Sequence, residues 1–174
     1  MFCISTAHEN LITDFTDDYE VSNWVVDNSQ GGSVDLSNSP LTVSLIEPNS
    51  SGSNTEVTFL TVALTDFFVS FDWSYDTSFD ACCSSIRFHG AAGGPVTVAS
   101  GADFSGSVGM GTSSFSRLSG TSFGWGNSST DSILGANILE ISNVTFDVPE
   151  PSTLAIFAFG IIGLASRRFN KQYV

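Results

Sequence analysis

Basic residues are scarce in this chain: five lysines and arginines stand against eighteen acids, and only Arg87 and Arg117 precede Pro149. Two arginines against seventeen acids leave that part at a net charge of −15. Such a field repels phosphate backbones and anionic lipid surfaces, which excludes nucleic acid and leaves cations, neutral polysaccharide or basic proteins as partners. Cysteine is nearly absent as well. With three cysteines and no Cys-x-x-Cys spacing, neither a disulfide framework nor an ordinary zinc site can be assembled. Cys82 and Cys83 are adjacent, so a vicinal disulfide, two separate thiols and an intermolecular bridge all stay open. Only two histidines, His8 and His89, are present, no nucleophile elbow is read from the sequence, and no enzyme is expected.

Aromatic mass, by contrast, is plentiful. Fifteen Phe, three Trp and three Tyr in a background of Ser, Thr, Gly and Asn are far more than a disordered acidic stalk carries. About 140 residues lie between His8 and Val148, enough for one domain with a core. The expected division is residues 1–8 as a remnant of a truncated signal peptide, 9–147 as the ectodomain and 148–174 as a C-terminal segment.

Period-two alternation is clearest from Asp66 to Phe79, where Val69, Phe71, Trp73, Tyr75 and Thr77 oppose Ser70, Asp72, Ser74, Asp76 and Ser78. The aromatic row, Trp73 included, is expected in the core. Glu56 to Leu64 reads as a central strand, Leu41 to Ile46 as a shorter one ended by Pro48, and NSSGSN from Asn49 to Asn54 as the turn between them. Trp24 to Asp27 reads as a strand after the acidic segment Asp14 to Glu20. Four short strands follow at Ile86–His89, Pro95–Ala99, Phe115–Leu118 and Thr121–Trp125. The last, Ala136 to Phe146, places Ile138, Glu140, Ser142, Val144 and Phe146 against Leu139, Ile141, Asn143 and Thr145. Eight to ten strands and no amphipathic helix predict an all-β antiparallel sandwich of jelly-roll type, with a barrel as the alternative.

Candidate sites within this body are few. Trp24 and Trp125 sit near turns and are the candidate platforms for a saccharide ring, with burial in the core as the competing reading. Asp72, Asp76 and Asp80 recur at spacing four and are weak candidates for calcium, a solvated polar face being the plainer meaning. Asp14, Asp17 and Asp18 add to the acidic balance, but no DxDxDG loop occurs. Asn49, Asn127 and Asn143 open N-x-S/T sequons, a weak signal in a Ser/Thr-rich chain.

The C-terminus differs from everything before it. Pro149, Glu150 and Pro151 precede the apolar run LAIFAFGIIGLA from Leu154 to Ala165, which Ser166, Arg167 and Arg168 close. An apolar run ending in a basic pair has the form of a membrane stop with its C-terminus in the cytoplasm. From Thr153 to Ser166 a helix covers about 21 Å against a hydrocarbon core of about 30 Å, and snorkelling arginines shorten the deficit.

The sequence VPEPSTLAIFAFGIIGLASRR, Val148 to Arg168, resembles a PEP-CTERM sorting signal, a tripartite tag of exported proteins of Gram-negative bacteria. The resemblance implies that Pro149, Glu150 and Pro151 are the motif read by an exosortase, a membrane-embedded cysteine protease or transpeptidase. Leu154 to Ala165 would be the membrane segment, and Arg167 and Arg168 the cytoplasmic stop. It further implies Sec export, transient anchoring in the inner membrane, and transfer of the ectodomain to the envelope or a biofilm matrix of exopolysaccharide. Met1 to Ala7 is then expected to end a signal peptide whose basic and apolar parts lie upstream. NLITDFTDDYEVSNW, VSFDWSYDTS and STDSILGANILEISNVTF are also similar to a pattern recurring in ectodomains of such proteins. The expected role is structural or adhesive, with a carbohydrate-binding module as the alternative.

Overall fold

A computed structural model describes residues 10–48, 54–79, 83–90, 94–104, 106–130 and 135–149. Its strands are β1 (Asn10–Thr13), β2 (Val25–Asp27), β3 (Ser33–Asp35), β4 (Thr42–Ile46), β5 (Thr55–Val62) and β6 (Phe67–Asp76). The series continues with β7 (Ser84–His89), β8 (Val96–Ser100), β9 (Val108–Arg117), β10 (Ser122–Ser129) and β11 (Ile138–Val148). Between β1 and β2 the acidic segment winds into two 3-10 turns, Asp17–Tyr19 and Val21–Asn23, and a third spans Gly101–Asp103.

Two sheets result. One runs β3-β4-β11-β6-β9, with β1 added on β11, and the other runs β2-β5-β10-β7-β8. The pairings among β2 to β11 are antiparallel. The chain is therefore all-β and sandwich-like, as its alternation predicts. Residues Leu11–Val148 form a compact unit of their own.

The core is a continuous aromatic layer. Trp24 stacks on Phe59 at 4.7 Å and on Trp125 at 5.2 Å between ring centres, and Phe15 meets all three edge-on. A second group joins Tyr19, Phe67, Phe123 and Phe146, with Tyr19 stacked on Phe146 at 4.1 Å. Offset and edge-on geometries of this kind satisfy the ring quadrupoles, adding about 0.5–1.5 kcal/mol per pair to the burial itself. Arg117 is drawn into the same layer: its guanidinium lies 4.3 Å from the Phe88 ring centre, and burial pushes its pKa below the ordinary value.

One polar residue ties the sheets together. Asn127 on β10 is fully buried, accepts from the Tyr75 hydroxyl at 3.1 Å, and donates to the carbonyls of Leu45 at 2.9 Å and Asn137 at 3.1 Å. An amide side chain offers donor and acceptor at once, so a single residue of one sheet serves three partners across the gap. As a glycosylation acceptor Asn127 is inaccessible.

Several expectations need correcting. β9 and β10 are ten and eight residues long, not the short strands expected. Glycine hides them, because Gly109 and Gly111 weaken strand patterning while leaving room for the Phe104 and Trp73 rings that lie against them. Trp73 is accordingly only partly buried, on the inner side of the sandwich edge, with its indole N–H donating to Ser113 Oγ at 3.3 Å. β11 does not alternate strictly. Its register shifts between Ser142 and Thr145, with Asn143 at φ 49°, so Leu139 and Ile141 before the bulge and Val144 and Phe146 after it all point inward. The short strands β1 and β3 were not expected. Most of the NSSGSN turn and the whole apolar run from Leu154 to Ala165 lie outside the described residues, and no described helix is long and apolar enough to cross a membrane.

Candidate functional site

The outer face of the second sheet carries a groove. On β5 the core residues Val57 and Phe59 fix the alternation, which turns Glu56, Thr58, Leu60 and Val62 outward. Register sets Val25 beside Leu60, Asp27 beside Thr58, and Gly124 and Gly126 of β10 opposite Leu60 and Thr58 on the other side. Two glycines in the middle strand leave the face without side chains there. Gly124 has φ 149°, and a Cβ on it would come within 2.1 Å of the Phe59 carbonyl, so no other residue fits.

The resulting groove holds about 600 Å³. Its floor and walls are Val25, Thr58, Leu60, Val62 and Leu64, and Asp18, Asn23, Asp27 and Ser122 supply polar groups. Val25 is 69 % exposed and Leu64 57 %, so the apolar side chains are offered to solvent. Asp27 accepts from the Ser29 amide, and hydrogen bonds from the Ser29 side chain and backbone hold its carboxyl below the usual range.

Beyond the glycines the face turns polar. Glu56 Oε1 and His89 Nε2 are 3.0 Å apart, bridging directly over Gly126, where a Cβ would lie 2.2 Å from the carboxylate and 2.7 Å from the imidazole. Arg87 Nη1 stands 3.9 Å from Glu56 Oε2, and the Gln30 side chain accepts from the Glu56 amide at 3.0 Å. A smaller depression of about 100 Å³ adjoins this cluster. Among the described residues it is the cationic part of an otherwise acidic surface, since Arg117 is buried.

The residues singled out from sequence fall elsewhere. Trp24 and Trp125 are core residues, 7 % and 0 % exposed, and neither presents a ring face to a ligand. The string SFGWGNSS, expected to be strand only as far as Trp125 with a turn beside it, is strand β10 throughout, and its inward parity carries Trp125 into the aromatic layer. Asp72 and Asp76 share the outer face of β6 four residues apart, about 13 Å along a strand and too far to ligate one ion. Asp72 instead accepts from the Thr112 hydroxyl at 2.5 Å and the Asn143 amide at 2.8 Å, contacts that lower its pKa. Asp80, Glu150, Pro151, Arg167 and Arg168 lie outside the described residues, and Pro149 is exposed. No group of three His, Cys, Asp or Glu is placed to hold a metal ion among the described residues. Cys83 is disulfide-bonded, its partner lying outside them.

A Gly-x-Ser-x-Gly string does exist at 120–124, contrary to the expectation that none would be found. It makes no elbow. Ser122 opens strand β10 and no helix follows, so the strained strand-to-helix turn that exposes a nucleophile is missing. The groove itself went unread, although it had a signal: β5 carries the aliphatics Leu60 and Val62 on its outward face as well as Val57 and Phe59 inside, and those outward aliphatics are part of the groove lining.

Residues 147–168 match the model of the PEP-CTERM protein-sorting motif. No curated protein matches the chain by sequence. Among solved structures, the K2 cleaved adhesin domain of Lys-gingipain is similar at 13 % identity, over 79 % of this chain and 98 % of that one, with a TM-score of 0.48. The K3 cleaved adhesin domain of Lys-gingipain from Porphyromonas gingivalis w83 is similar at 12 % identity, over 81 % and 99 %, with a TM-score of 0.47. A carbohydrate-binding module described for specific mannan recognition is similar at 11 % identity, over 80 % and 98 %, with a TM-score of 0.39.

Proposed function

We propose that this chain is an exported protein, sorted through its C-terminal motif to the cell envelope or extracellular matrix, where its sandwich acts by adhesion rather than catalysis. The sorting-motif match at residues 147–168 carries the reading. In it an exosortase recognises Pro149, Glu150 and Pro151, the apolar run from Leu154 to Ala165 anchors the chain transiently, and Arg167 and Arg168 hold its end in the cytoplasm. β11 ends at Val148, so a cut at the motif removes no strand of the sandwich. The strand order, β4-β11-β6-β9 facing β5-β10-β7-β8, fits a jelly roll, an architecture that leaves broad sheet faces free.

The test is intact mass and fractionation of the protein from a host that processes such motifs, with and without alanines at Pro149, Glu150 and Pro151. Expected is loss of the C-terminal mass and release from the membrane for the native chain, and a full-length, membrane-retained product for the triple variant. A full-length cytosolic product from the native chain would overturn the reading.

A second reading is favoured by the groove: that the adhesive ligand is a neutral polysaccharide. Its aliphatic floor can lie under the C–H faces of a sugar while Asn23, Asp27 and Ser122 meet hydroxyls, and the acidic surroundings disfavour polyanions. Affinity electrophoresis in neutral polysaccharides should show retardation that Val25→Asp with Val62→Asp abolishes. Equal migration of native and variant proteins in every gel would retire this ligand.

A further inference from the structure

Sheet edges are templates for pairing, and this molecule blunts three of its four outer edge strands. β2 and β3 are three residues long and carry Asp27 and Asp35, and the pairing of the five-residue β8 with β7 is bulged between Ile86 and Arg87. β9 is different. It is ten residues long, Val108-Gly-Met-Gly-Thr-Ser-Ser-Phe-Ser-Arg117, with no proline and no acid, and it pairs with β6 along its whole length in unbroken register. Its only charged side chain, Arg117, is buried against Phe88. Among the described residues β6 is its one strand partner.

We propose that β9 is a self-association edge, on which a second copy of this chain pairs antiparallel to join two sandwiches through one continuous sheet. The outward row of β9 is Val108, Met110, Thr112, Ser114 and Ser116, with Val108 51 % and Met110 77 % exposed. A two-fold axis at Thr112 sets Met110 opposite Ser114 and Val108 opposite Ser116 of the second copy, with no charge in the row. Side chains directly opposite in such a ladder interact most strongly, and like charges there would forbid it.

Charge selects the copy as occupant. The body carries −15, so a second copy pairing strand to strand meets least repulsion where acids are absent, and β9 is such a strip. The nearest carboxylates, Asp72 and Asp76, sit one strand back on β6. In the pair Asp72 faces its counterpart across three strand spacings, about 14 Å, beyond the screening length of roughly 8 Å at physiological salt, and Asp76 faces Phe68 of the second copy. The Phe104 and Trp73 rings lie against the inner glycines Gly109 and Gly111 of the strand.

The full-length chain in detergent micelles is measured by light scattering that isolates the protein mass, at low and physiological salt, with tryptophan fluorescence as the check on folding. Expected is twice the 18.4 kDa chain mass at physiological salt, with a shift towards monomer at low salt. Met110→Glu with Ser114→Glu places like charges opposite each other and gives monomer, whereas Met110→Lys with Ser114→Glu places opposite charges there and restores the dimer. A native protein that stays monomeric overturns the proposal. So does a dimer that the glutamate pair leaves intact, or one that the lysine–glutamate pair fails to restore.

Discussion

Trp125→Ala should cost about 3–5 kcal/mol, the range for truncating a large aromatic in a core that cannot collapse. Thermal unfolding by circular dichroism should then show a midpoint lower by about 6–20 °C, at roughly 2–4 °C per kcal/mol for a body of this size. The indole contacts Phe15, Trp24, Phe71 and Phe88 from both sheets, so its loss opens a cavity at the centre of the aromatic layer. Trp125→Phe separates packing from polarity. The buried Nε1 has no hydrogen-bond partner among the described residues, and removing an unpaired donor recovers part of what the smaller ring forfeits. A midpoint for Trp125→Ala within 2–3 °C of the native value would contradict the central role given to this layer.

Asn127→Leu should be comparably damaging for a different reason. The substitution keeps approximate volume but withdraws two N–H donors from the buried carbonyls of Leu45 and Asn137 and an acceptor from Tyr75. The Asn137 carbonyl keeps the Glu47 amide as a donor, so at about 1–3 kcal/mol for a buried group deprived of its partner the loss falls in the lower part of about 2–6 kcal/mol, still a large share of the roughly 5–15 kcal/mol a domain commands. Urea titration should move the midpoint down with little change in slope, because the surface exposed on unfolding is nearly the same. A variant as stable as the native chain would mean that the cross-sheet hub contributes specificity and not stability.

The parts of the molecule legible in its sequence are those whose physics is local. β6 could be read because alternating Val69, Phe71 and Tyr75 face a core on one side only, and the sorting motif because its three parts are contiguous. β11 defeated a strict period of two, since one αL residue at Asn143 reverses parity halfway along. Trp24 and Trp125 were ambiguous for a related reason: flanking Gly, Ser and Asn signal turns, yet Gly124 and Gly126 serve a strand whose neighbours need the space. The groove depends on β2, β5 and β10 meeting across the sheet, a juxtaposition that only topology supplies. Its Glu56–His89 bridge joins residues 33 positions apart, and nothing local in either strand announces it.

The position of β11 also governs the order of events during synthesis. It is the last of the described strands to be made, yet it lies between β4 and β6, and without it the first sheet falls into a β3–β4 piece and a β6–β9 piece that are not paired with each other. A nascent chain can therefore pair β5, β10 and β7 while half of its core still lacks a wall. Closure waits for Val148, one residue before Pro149, so the body can complete itself only as synthesis reaches the sorting motif.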